Sequence, residues 1–187
     1  MRHLKQTAKL GRKSQHRNLM LANLVNSLII HRRIRTTLAK AKAAQRVAER
    51  MVTLGKRGVA AASAASSAGD DKAKAQKLAD SVHCRRLVAA RLHQQPRSLF
   101  KSKEERLKWR DSMDVIHILF EKIAPVFKDR AGGYTRIVKL AAARRGDAGE
   151  QAILEWVDLP AEAGGAGKGA PAASTPAPAD GGDKPKA

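Results

Sequence analysis

The sequence predicts an α+β fold in which helices cover a small sheet, with an extended basic arm before it and a disordered tail after it. Three observations lead there. Apolar residues recur at helical spacing from Leu21 onward, two segments rich in β-formers (134–142 and 151–159) flank a turn-forming run, and both chain ends lack apolar periodicity.

Residues 2–17 carry Arg2, Lys5, Lys9, Arg12, Lys13 and Arg17, with His3 and His16 among them, and almost no apolar pattern, so they read as an arm that orders on a polyanion. From about Asn18, Leu21, Leu24, Val25, Leu28 and Ile29 fall on one helical face, and that helix is expected to end near His31. Arg32, Arg33, Ile34, Arg35, Thr36 and Thr37 form a short, basic, β-branched run suited to a brief strand or extended connector, with Thr37 placed to cap the second helix.

That second helix is expected over 39–54, with Ala41, Ala44, Val47, Ala48 and Met51 on one side, and Lys42, Arg46 and Arg50 on the other; Gly55 and Gly58 should stop it. Residues 59–79, mostly Ala, Ser and Lys, read as a solvent-exposed insertion, with a further helix reaching about Gln94. Ser102 and Glu105 have capping-box spacing, opening a helix that breaks near Ser112 and continues to Ile123 with Val115, Ile116, Leu119, Phe120 and Ile123 as its apolar stripe, before Pro125 ends it. Between the two β-rich segments, Gly146, Asp147 and Gly149 supply an antiparallel hairpin turn. Beyond Pro160 the chain is Ala, Gly and Pro with balanced charge, which cannot bury enough apolar surface to order itself.

Charge narrows the function. The formal net charge is +20, and the first 58 residues hold 15 Lys/Arg against one acid, Glu49, a field suited to nucleic acid. Aromatic residues make up 3% of the chain and all lie at or after Phe100, which disfavours an aromatic platform for stacked bases in the N-terminal half. The lone Cys84 excludes an internal disulfide and a zinc ribbon, and reads as a core thiol. The run from Gly164 to Gly169 lacks the first Gly and the Ser/Thr of a phosphate-binding loop, Ser98 and Lys101 have none of the partner motifs of an acyl enzyme, and the six histidines show no metal-ligand spacing. The expectation is a non-enzyme with no cofactor, metal, small-molecule substrate or membrane attachment, not a homo-oligomer, and cytoplasmic. A nucleoid-type DNA-binding protein also fits the charge, whereas an RNA-modifying enzyme would need a constellation the chain does not supply.

Two separated motifs carry a resemblance. Met1-Arg2-His3, Lys9 to Arg12, His16-Arg17, His31, Ile34, Thr36-Thr37, Lys40-Ala41-Lys42 and Glu49-x-Met51-Val52-Thr53 form the first, and Arg130-Ala131-Gly132-Gly133-Tyr134-Thr135-Arg136-Ile137 the second. Together they resemble the bacterial large-subunit ribosomal protein family seventeen, over residues 1 to about 58 and about 115 to 159. The resemblance implies a structural component of the large ribosomal subunit that binds 23S ribosomal RNA near the peptide tunnel exit, contacts neighbouring ribosomal proteins and supports assembly and translation. It also implies helices packed on a mixed sheet that the Ile34 segment joins as a strand.

The domain organisation expected is an arm (1–17), a single domain (18–159) with an insertion within about 59–112, and a tail (160–187). The expected RNA contacts are Arg2, His3, Lys5, Lys9, Arg12, Lys13, His16, Arg17, Arg32, Arg33, Arg35, Thr36, Thr37, Lys40, Lys42, Arg46, Arg50, Arg130, Gly132, Gly133, Tyr134 and Arg136. Much of 59–112 and the tail exceed the family's length, and Lys56 stands where the family favours a small residue.

Overall fold

The computed structural model describes residues 8–93 and 102–159. In chain order the elements are α1 (Ser14–His31), β1 (Arg33–Thr37), α2 (Leu38–Ser66), α3 (Asp71–Leu92), α4 (Lys103–Ser112), α5 (Val115–His117) running into a π-helical turn (Ile118–Ile123), β2 (Thr135–Lys139) and β3 (Gln151–Trp156). The α+β reading and the hairpin therefore hold. The sheet has the order β1-β3-β2 with both pairings antiparallel, so the mixed sheet implied by the resemblance is corrected: β1 and β2 run the same way but never touch, because β3 lies between them. The β1 strand is present as expected.

Register decides which strand residues face the helices. Ile34 pairs with Leu154 and Ile137 pairs with Leu154 from the other side, while Thr135 pairs with Trp156. The alternation along β3 buries Ala152, Leu154 and Trp156 and leaves Ile153 and Glu155 on the opposite face. Trp156 is 1% exposed and donates its Nε1–H to the Leu28 carbonyl at 3.1 Å, so α1 and the sheet share a satisfied buried donor. Phe127 meets Tyr134 edge-on at 5.3 Å between ring centres and leans on Trp156 at 6.1 Å.

Helix α1 starts at Ser14, inside the expected arm, and buries Ala22, Val25, Leu28 and Ile29. Asn26 donates from its side chain to the Leu92 carbonyl at 3.0 Å, tying α1 to the end of α3. Thr37 occupies the N-cap of α2, yet its hydroxyl makes no capping bond, which corrects that expectation.

The larger correction concerns α2, which does not stop at Gly55 but continues to Ser66. Both glycines are buried inside it, and packing explains them. A Cβ on Gly58 would stand 2.6 Å from the Phe120 ring and 3.1 Å from Cys84 Cβ, so the absence of a side chain lets α2 approach the π-helical turn and α3 together. Glycine's helix penalty of roughly 1 kcal/mol is outweighed by that contact.

Residues expected as an exposed Ala/Ser insertion are thus the second half of α2 and the start of α3, which lies along it and buries Ser81, Cys84, Val88 and Leu92 at helical spacing. Residues 71–80 are exposed and only Ala65 of 59–66 is buried, so the expected exposure holds, but the segment is helical because alanine-rich sequence is good helix-forming sequence. Cys84 is buried, as expected for a core thiol.

Ser102 caps α4 by accepting from the Glu104 N–H at 3.2 Å, whereas Glu105 makes no reciprocal bond among the described residues. After the expected break, Asp114 accepts from the N–H groups of Ile116 and His117, both at 3.1 Å, and starts α5. The next six residues widen to a π turn that closes with Ala124 N–H donating to the Leu119 carbonyl at 2.8 Å, just before Pro125. The hairpin loop is pinned by Asp147, which accepts from the Arg144 guanidinium and, at 3.4 Å, from the Gly149 N–H. The Arg144 hydrogen bond holds the Asp147 carboxyl well below the usual carboxylate range and raises Arg144 in turn.

Candidate nucleic-acid interface

Helix α2 sorts its residues by face because 3.6 residues make a turn. Ala41, Ala44, Ala48, Met51, Val52, Gly55 and Gly58 are buried, and directly opposite them lie Lys42, Arg46, Arg50 and Arg57, all exposed. Lys42, Arg50 and Arg57 make no hydrogen bond or ion pair among the described residues, so their charge is presented to solvent. Arg57 was not among the expected contacts. It lies seven residues after Arg50, and reading Gly55 as a stop removed it from the row. Lys40 falls on another side of the helix and is half-buried.

A second side of α2 holds the Arg130–Thr135 segment in place. Gln45 donates to the Thr135 carbonyl at 3.4 Å, the Thr135 hydroxyl donates to Glu49 at 3.2 Å, and Lys56 Nζ donates to the Arg130 carbonyl at 2.5 Å. Glu49, the sole acid of the basic N-terminal third, is thereby used inside the fold. Lys56 also stands 3.5 Å from the Tyr134 hydroxyl and over its ring. The residue that departs from the family expectation is a strap between α2 and this loop.

Tyr134 itself is 3% exposed. Its ring belongs to the core, and its hydroxyl lies beside Lys56. Gly132 and Gly133 are exposed, with open space around both; Gly133 has φ +63°, which favours glycine there. Arg130 grips both oxygens of Asp158 at 3.3 and 3.1 Å and also donates to the Gly132 carbonyl, while Arg136 pairs with Glu155 at 2.8 Å.

Arg33, Arg35 and Arg136 lie on the sheet face turned away from the helices, since their register partners there are Glu155 and Ile153. Arg35 donates to the Gln151 side chain at 2.5 Å. Thr36 points to the helix side, opposite Ala152, and is half-buried; Thr37 is on the outer face. Arg32 closes α1 in a left-handed conformation, φ +63°, and is half-buried.

Near the chain start, Lys9 and Lys13 are exposed, Arg12 lies 2.8 Å from the His16 ring nitrogen, and Arg17 keeps its Nε buried within the first turn of α1. Arg2, His3, Lys5 and the 160–187 tail fall outside the described residues. The structure thus gathers Lys42, Arg46 and Arg50 into one row, sets Arg33, Arg35 and Arg136 on a different face, and places Tyr134 and Thr36 mostly within the fold.

Among the described residues, no group of three or more His, Cys, Asp or Glu side chains is arranged to hold a metal ion, and no helix is long and apolar enough to cross a membrane. Fold and surface together define a small α+β module that presents ordered cations around a closed core. The family follows from comparison with known proteins: a model described as Ribosomal protein L17 matches residues 20–157, and the chain belongs to that family.

Curated relatives agree over most of their length. The large ribosomal subunit protein bL17 of Pelobacter propionicus is 39% identical over 158 residues, covering 84% of this chain and 92% of the relative. Those of Finegoldia magna and Alkaliphilus metalliredigens are each 41% identical, over 150 and 152 residues, covering 80% and 81% of this chain and 83% and 98% of the relatives.

Proposed function

We propose that the chain is a structural, non-enzymatic component of the large ribosomal subunit in the cytoplasm, and that it binds 23S ribosomal RNA beside neighbouring ribosomal proteins, near the peptide tunnel exit. The basic arm threads between RNA segments while the α2 row meets phosphates along its length. The observation that carries this reading is the line of Lys42, Arg50 and Arg57, exposed and, among the described residues, without an acid to neutralise it. Guanidinium groups there match phosphate oxygens two at a time, and Lys42 adds a point charge. The N–H groups of Gly132 and Gly133, which make no hydrogen bond among the described residues, suit contact with phosphate or 2′-hydroxyl oxygens. Tyr134 serves this surface by holding the loop from beneath.

The arm has an independent test. Because α1 begins at Ser14, deleting residues 2–13 leaves the first helix intact, whereas deleting 160–187 removes a segment without net charge. In sedimentation through a high-salt gradient, the full chain and the tail deletion should co-migrate with the large subunit and the arm deletion should not. Equal incorporation of both truncations contradicts the role of the arm, and co-migration of the full chain with the nucleoid instead contradicts the ribosomal reading.

A further inference from the structure

Beyond Arg57, the exposed face of α2 changes from basic to alanine while α3 draws alongside, and the two helices flank an open groove of about 500 Å³. Ala60, Ala61 and Ala64 line it from α2, and the buried Cys84 lines it from α3. Helices α2 and α3 run antiparallel with Gly58 against Cys84, so Arg57 shares one end of the groove with His83 and Leu87, Ala64 shares the other with Lys77, and Asp80 lies between. Arg57, Lys77, Asp80 and His83 make no hydrogen bond or ion pair among the described residues, and Leu87 is 41% exposed.

Resting on the RNA-binding reading above, we propose that this groove receives one unstacked guanine base from the RNA strand that runs along the α2 row. The groove is the direct continuation of that row along the same helix face, so a backbone tracking Lys42 to Arg57 arrives at its mouth. RNA is read mainly where bases are splayed out and laid against flat side chains, histidine and the arginine guanidinium included, and Arg57 and His83 provide both at one end. The alanines on the α2 side are small enough to admit the base plane closely. Lys77 supplies a cation for the flanking phosphate.

Asp80 gives the site its choice of base. A carboxylate on a polyanion-binding surface is unfavourable unless it accepts hydrogen bonds there, and an ionised carboxylate only accepts. Guanine presents N1–H and N2–H side by side, matching the two carboxylate oxygens. Uracil sets a single N–H between two carbonyls, which the carboxylate repels.

The test is equilibrium binding of the full-length protein to two RNA duplexes that differ in one bulged nucleotide, guanosine or uridine. The bulged-guanosine duplex should bind about tenfold more tightly, in line with the energy of one stacked and hydrogen-bonded base. Asp80→Asn should bring that ratio close to one. Ala64→Leu, which fills the groove without changing charge, should do the same at an unchanged thermal midpoint. Equal wild-type affinity for the two duplexes overturns the inference, as does a guanosine preference that survives both substitutions. Steep salt dependence on both duplexes without preference removes the groove and leaves the RNA reading standing; no salt-dependent binding to either removes both.

Discussion

Along α2, Lys42, Arg50 and Arg57 extend away from the core with no carboxylate among the described residues holding them, whereas Arg130 and Arg136 are held by acids of the β3 strand and its extension, Asp158 and Glu155 respectively. In the sequence both stretches are basic, and Lys42, Arg130 and Arg136 all belong to the signature motifs. In the fold one presents its charge and the other spends it internally. Such exposed pairs contribute little to stability, about 0–1 kcal/mol, but each cancels most of the local field a phosphate would feel. A count of cations therefore overstates the charge available to a polyanion.

The comparison breaks most visibly at Tyr134, which sits in the signature but acts through the core. Tyr134→Ala should destabilise the protein by about 3–5 kcal/mol in denaturant unfolding, as for other large aromatic truncations, while Tyr134→Phe should leave RNA affinity unchanged. A large affinity loss in the Phe variant would make the hydroxyl a contact and dissolve the distinction.

Gly58→Ala tests whether the row depends on close helix packing. A methyl group there meets Phe120 and Cys84, so stability should fall by about 1–3 kcal/mol. A variant as stable as the parent would show that α2 does not need that approach. The smallest effect belongs to Arg130→Gln combined with Arg136→Gln. Because both cations are already paired, the slope of log affinity against log salt on a 23S RNA transcript should change by less than about one.

How much of this was legible depends on the kind of signal. The hairpin was clear, because two segments rich in β-formers and the Gly146 to Gly149 turn agree, and α1 was clear from its apolar face. Gly55 and Gly58 misled, because a glycine that ends a helix and one that permits a close crossing look identical until the Phe120 ring is in place. The same misreading hid α2 beyond Leu54, the α3 pairing, Arg57 and hence the groove.

Exposure of individual cations was equally hidden. Lys56, Glu49 and Gln45 lie on α2 at spacings that mark a shared face, but nothing in the chain says that residues 130–135 cover that face. Long-range pairing decided which cations remained outward. The mixed sheet failed for a related reason, since the position of β3 between β1 and β2 is a long-range pairing that no local pattern records.

The most direct measurement is the salt dependence of binding to a 23S RNA transcript for the wild type and for the Lys42→Gln, Arg50→Gln, Arg57→Gln triple variant, checked for an unchanged thermal midpoint. If six arm cations each meet a phosphate, they alone give a slope of about −4 to −5, and the α2 row should add roughly −2 to it. The triple variant should lose that increment and bind more weakly by at least tenfold. An unchanged slope in the triple variant would contradict the claim that the outward row of α2 is the RNA-binding face of this domain.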